Sequence, residues 1–266
     1  MAELVGIYAR LYGSRVRSQL QYRLSFALQV VGMLGATFLD FAAILVLFSR
    51  LTSLGGWSLW DVAFLYGASY LPFKLADVFV GKVERLGEWI RTGQMDSILV
   101  RPLGTLGQTL TSDTDLKQVG GVVQGAAVFV VALAHMDVTW TPARWLVMAV
   151  MLVSGFVIFC SVWIGTNSAA FWLVNVREAT NAFTYGGNFL TQYPLDIFAA
   201  WFRRLFAFVI PVAFVNYFPS LFILGKPSGS WPSFLRFASP LVALLSAVAA
   251  ALIWRAGIRR YTSTGS

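Results

Sequence analysis

Apolar positions run almost unbroken over 24–48, 60–80, 119–134, 145–171 and 240–254. Each run is near the roughly 20 residues an α-helix needs to cross a bilayer core. The runs lack the alternation of roughly ten-residue barrel strands, so they predict helices. Ahead of them, residues 3–20 place Leu4, Ile7, Tyr8, Leu11 and Tyr12 on one helical face and Arg10, Ser14 and Arg17 on the other. That pattern predicts a helix lying at the membrane surface, with Arg15 snorkelling from its apolar side. The stretch 179–225 is too long for one crossing and is broken by Pro194, Pro211 and Pro219. It reads as a fifth span to Gln192 followed by two half-helices, 196–208 and 212–223, of a kind tolerated where protein or headgroups cover them. The expected fold is an all-α membrane protein of six transmembrane helices in one domain, 1–266. It divides into an interfacial helix (1–22), spans one and two (24–80), a polar loop (82–117), spans three and four (119–171), span five with re-entrant helices (177–225) and span six (240–254).

Composition sharpens this picture. Of 266 residues 58% are hydrophobic and 12% charged, about half the charge of an ordinary soluble domain. The formal net charge of +8 sits beside the apolar runs rather than in one patch, so anionic lipid headgroups are the expected partner and nucleic acid is not. With the N-terminus inside, thirteen Lys and Arg fall in inner segments and six in outer ones, which predicts cytoplasmic termini. A rival topology puts Arg203 and Arg204 inside, with 205–224 as span five. Arg10, Arg15 and Arg17 interrupt the N-terminal segment where a signal peptide would need an apolar stretch. The single cysteine, Cys160, permits no intrachain disulfide.

Little in the chain points to chemistry. The pairs Gly81-Lys82 and Gly225-Lys226 lack the spacing of a phosphate-binding loop, so no ATP site is expected on this chain. His135, beside Asp137, has no second ligand at helical spacing, and no metal site is expected. The intramembrane ionisable groups Asp40, Lys74 and Asp77 are candidates for the translocation path. Lys74 and Asp77, at i and i+3, can also form a local ion pair, and Asp40 can serve as a structural partner for a polar group such as Arg50. Gly32 with Gly35 and Gly186 with Gly187 offer close helix approach. Ser154, Ser161, Thr166, Asn167 and Ser168 are expected to hydrogen-bond between helices, and Trp57, Trp60, Trp140, Trp145, Trp201 and Trp231 to anchor span ends at the interface. In the loop 82–117, Val83, Leu86 and Ile90 share one helical face. Gly93 can end that helix, Asp96 can cap a second one, and Pro102 cannot continue it. Such a compact amphipathic pair suits either a docking surface or a membrane-surface helix.

The stretch Glu88-Trp89-Ile90-Arg91-Thr92-Gly93-Gln94-Met95-Asp96, followed by Leu99-Val100-Arg101-Pro102-Leu103, resembles the inner-loop signature of ABC-2-type permeases of the prokaryotic six-span branch. Tyr193-Pro194-Leu195-Asp196-Ile197-Phe198, Trp201-Phe202-Arg203-Arg204 and 208–219 are similar to the segment between spans five and six of the same family. Ala199-Ala200 departs from a pattern that often carries proline. The resemblance implies a permease subunit of an exporter in the prokaryotic plasma membrane, moving a drug, antibiotic or other amphiphile. It further implies two separate ATPase subunits that hold ATP and magnesium, a second permease, identical or paralogous, and no cofactor on this chain. A cytoplasmic coupling helix would follow span two and contact the ATPase through Glu88, Arg91, Asp96 and Arg101, with Leu86, Ile90 and Leu99 as apolar anchor. Spans one, two and five would line the path. A standalone secondary carrier or channel is the alternative, although no internal repeat supports it, and a membrane-bound enzyme lacks candidate residues.

Overall fold

A computed structural model describes residues 2–112, 116–173 and 176–262. Asp113 and Asp115, and the side chains of Leu4, Ile7, Tyr8, Tyr12 and Arg15, lie outside the described residues. Among the described residues the chain is helical, without strands. Its α-helices are α1 (Ala2–Leu20), α2 (Arg23–Phe48), α3 (Leu59–Val80), α4 (Leu86–Arg91), α5 (Gln94–Leu99), α6 (Thr105–Ser112), α7 (Val119–His135), α8 (Pro142–Asn167), α9 (Arg177–Thr191), α10 (Ala200–Arg204), α11 (Tyr217–Ile223) and α12 (Ser239–Arg260).

Among the described residues four segments are long and apolar enough to cross a membrane: α2, Leu116–His135, Pro142–Phe171 and α12. A fifth is formed if Ala200–Val209 and Pro211–Ile223, bent by 74° at Ile210, count as one. The bend falls where Pro211 removes a backbone donor and a π-helical turn, Leu205–Val209, loosens the preceding helix. Asp61, Lys74 and Asp77 make α3 less apolar, yet it is the central helix, with residues 62–70 all buried. At 15 residues, α9 reaches only about 22 Å, short of the ~30 Å hydrocarbon core.

Close backbone approach locks α3 against α7. A Cβ on Gly67 would lie 2.7 Å from Phe129 Cα, and one on Gly125 3.1 Å from Leu71 N. Gly120 does the same for α2, with Val30 O 2.5 Å from the ideal Cβ position. These are the small-residue contacts that let membrane helices gain van der Waals attraction without a hydrophobic drive. Within this chain Gly32, Gly35 and Gly186 make no close helix approach, since nothing lies within 4 Å of a Cβ placed on any of them. Gly187 alone of that group packs closely, 3.3 Å from Val212 Cγ1.

Polar residues on α8 also differ from expectation. Ser161, Thr166 and Ser168 donate to the carbonyls of Val157, Val162 and Ile164 in their own helix. Hydroxyls in an apolar medium find the nearest free lone pair, which is four residues back. Only Asn167 reaches across, accepting from Thr180 of α9 at 3.2 Å. Trp57 is no interface anchor either; it is buried, with its indole N–H donating to Asp196 Oδ2.

One end of the bundle gathers the loop 51–58, Asp196, Arg203 and Lys226. Tyr217 donates to Asp196 Oδ1 at 2.7 Å, Arg203 stands 3.8 Å from it, and Lys226 pairs with Asp61 at 3.0 Å. Arg203 therefore sits near the end of α3 opposite the 82–117 loop. The loop, α1 and the end of α12 lie together at the other end: Gln19 accepts from Leu116 N, and Tyr261 donates to Asp96.

Candidate functional site

The 82–117 segment begins with a 3₁₀ turn, Gly81–Arg85, that continues α3 into α4. Gly93, at φ 71°, turns the chain into α5, a conformation that costs glycine least. Gly93 therefore occupies the N-cap position, and Asp96 falls within the first turn of α5 rather than capping it. Here its carboxylate still meets the favourable end of the helix dipole.

The apolar faces of α4 and α5 turn inward. Val83, Leu86, Trp89, Met95 and Ile98 are buried, and Glu84 accepts the indole N–H of Trp163 of α8 at 2.8 Å. Leu86, at 0% exposure, has no surface to offer a partner; its place is in the seat of the loop. Ile90 and Leu99 are half-buried against the same core. The outward face carries Glu88, Arg91, Thr92, Gln94 and Arg101, with Val100 the exposed apolar side chain at 84%. Arg85 holds Glu88 at 3.1 Å, which keeps the Glu88 carboxyl below its usual range.

Two clefts flank this knob. One of about 430 Å³ opens between it and the start of α9, lined by Glu84, Arg85, Glu88, Arg91, Arg177 and Glu178. The other, about 530 Å³, includes Trp89, Gln94, Ser97, Arg101 and Gln108. A rigid seat with a charged, grooved outer face is suited to transmit a push from a second protein.

The intramembrane candidates do not form one site. Lys74 and Asp77 pair at 3.3 Å, buried at 6% and 3% exposure, and Lys74 also donates to Gln118 at 3.1 Å. The methylenes of Lys74 fill the space that Gly121 leaves open. Asp40 stands apart, exposed on α2. His135 stacks on Trp60 at 4.3 Å, and no cluster of potential metal ligands occurs among the described residues.

A second buried polar junction escaped sequence reasoning. Asn216, at 0% exposure, donates to Leu65 O of α3 at 2.8 Å and to Thr191 O of α9 at 2.6 Å. Thr191 in turn donates its hydroxyl to Ser69 at 2.8 Å. The sequence signal was an asparagine inside an apolar run, beside Pro211 and Pro219.

A family model described as "ABC-2 family transporter protein" matches residues 34–265. No curated protein and no solved structure matches the chain.

Proposed function

Since the chain belongs to the ABC-2 family of transporter proteins and is a membrane permease of an ABC transporter, we propose that it serves an exporter of small amphiphiles, driven by two separate ATPase subunits. The reading is supported above all by the seating of α4 and α5, whose apolar faces are spent on the bundle while Glu88, Arg91 and Arg101 face outward. The ATPases bind there, carry the ATP and magnesium, and move the knob as a unit; Ile90 and Leu99 supply the partly exposed apolar rim. In this scheme α2, α3, α7, α8 and α12 are five of six spans. The fifth in chain order is α9 together with the bent pair that follows it.

The knob faces the cytoplasm together with both termini, a reading supported by the distribution of Lys and Arg, and the membrane is the plasma membrane. A second permease, identical or paralogous, covers α2, of which only 11% of the most apolar stretch is buried. Asp40, Gly32 and Gly35 lie on that helix, where the cargo path between two permeases would run; a carboxylate there needs water or a partner rather than acyl chains. Lys74 and Asp77 serve that path from behind by fixing α3 to the start of α7.

The test is reconstitution of the permease with its ATPases in nanodiscs. Arg91→Glu should reduce permease-stimulated ATP hydrolysis at least about tenfold, the cost of replacing attraction by repulsion at an interface, while the permease unfolds as wild type. Unaltered stimulation by both Arg91→Glu and Arg101→Glu would remove this face from the mechanism.

A further inference from the structure

The last span is fastened at both ends to elements that the proposed cycle must move. At its inner end the Tyr261 hydroxyl donates to Asp96 Oδ1 of α5 at 2.8 Å, and the Trp254 indole donates to Thr105 Oγ1 of α6 at 3.3 Å. Phe171 stands edge-on to Trp254 with centroids 5.4 Å apart, and edge-on to Tyr261 at 6.4 Å. It also presses on Gly257 where any Cβ would collide with its ring. At the outer end the buried Ser239 hydroxyl donates to Phe214 O, 2.6 Å away, within the 3₁₀ turn Pro211–Phe214 that follows the bend at Ile210.

Between these fastenings α12 is one continuous helix of 22 residues, about 33 Å long. Its inward positions between the ends include Ala243 and Ala250, and Ala250 lies 3.8 Å from a Cβ placed on Gly165 of α8. A helix with a small-residue face can shift along its neighbour without having to unlock large interdigitating side chains. We propose that α12 is a push-rod, carrying displacement of α5 across the membrane to the bend of the re-entrant pair, with Tyr261 and Asp96 as its inner coupling and Ser239 as its outer one.

This assigns Asp96 a different duty from Glu88 and Arg91. One of its carboxylate oxygens is engaged by its own chain, so it is a positioning residue for the stroke. Burial and the bond to Asp96 push the Tyr261 hydroxyl up to about 12, so at neutral pH it keeps the proton that makes the bond.

The inference rests on the proposed coupling role of α4 and α5, and one experiment separates the two. Amide hydrogen exchange is followed on the complete permease–ATPase complex in nanodiscs, with and without ATP plus vanadate. In wild type, nucleotide should alter exchange at 94–99, 255–261 and 205–216 together. Tyr261→Phe keeps the ring on Phe171 and loses only the hydroxyl; it should keep the response at 94–99 and reduce that at 205–216 roughly threefold or more, the order of one hydrogen bond. Asp96→Ala should do the same, whereas Asp96→Asn, which retains an acceptor oxygen, should restore most of the response. Equal responses at 205–216 in wild type, Tyr261→Phe and Asp96→Ala would overturn the push-rod while leaving the coupling knob in place. No nucleotide response at 94–99 in wild type would overturn both.

Discussion

Replacing Asn216 by alanine should weaken the bundle measurably, because this one side chain ties together elements far apart in the chain. The side chain bridges three elements, and its amide nitrogen satisfies two carbonyls at 2.6 and 2.8 Å. Thr191 is the last residue of α9, so its carbonyl has no donor from its own helix and would be left bare. Side-chain hydrogen bonds inside membranes are worth ~0.6 kcal/mol on average and up to ~1.7. A buried acceptor without a substitute pushes the cost towards the upper end. Two bonds then give roughly 2–3 kcal/mol, or a fall in Tm of about 4–12 °C for a chain of this size. Thr191→Val removes the hydroxyl contacts to Ser69 and to the Asn188 carbonyl of its own helix and should cost about 1 kcal/mol. Unfolding in detergent or nanodiscs, followed by intrinsic fluorescence, measures both. If Asn216→Ala unfolded within about 0.5 kcal/mol of wild type, the junction would not be holding α3, α9 and the bend together.

Gly67→Ala and Gly120→Ala should each lose about 1–3 kcal/mol, because the added methyl meets backbone rather than a side chain that can swing away; Gly32→Ala, facing open space, should fold normally in the isolated subunit. Lys74→Met breaks a buried ion pair and should cost about 3–5 kcal/mol, while Lys74→Met with Asp77→Asn should recover most of it; equal stability of the single and double variants would contradict a buried pair. The Tyr261 hydroxyl titrates higher in the folded chain than its ordinary value of 10.0, at about 12. The folded state therefore holds that proton longer, and its contribution is complete below pH 10 and disappears as pH rises towards 12. Limited proteolysis of the C-terminal turn should accelerate over that window in wild type and stay flat in Tyr261→Phe.

The crossings were legible because membrane burial leaves a signal in composition alone. The apolar runs at 119–134 and 145–171 correspond to α7 and α8, and the proline-broken stretch became the bent pair. The amphipathic loop was legible for the same reason, since Val83 and Leu86 fall on one face by spacing. Partner choice was not legible. Whether Asp96 meets an ATPase or Tyr261, 165 positions away, depends on how α12 is rotated about its axis, and no local pattern encodes that. Gly32 and Gly120 look alike in sequence, yet only the second has a neighbour at its face. Trp57 sits at a span end like the other tryptophans, and Asp196, Tyr217 and Lys226, all distant in the chain, close over it and turn it into core. The serines of α8 had two ways to satisfy a hydroxyl, and the shorter one won.

The nearly naked first crossing has a consequence for how the cell must make this protein. Unless the proposed second permease covers it, a subunit synthesised in excess would present the Asp40 carboxylate, exposed on α2, directly to acyl chains, an arrangement that lipid penalises. Such orphans are suited to recognition by membrane quality control, so supply of this chain would be tuned by degradation of whatever finds no mate.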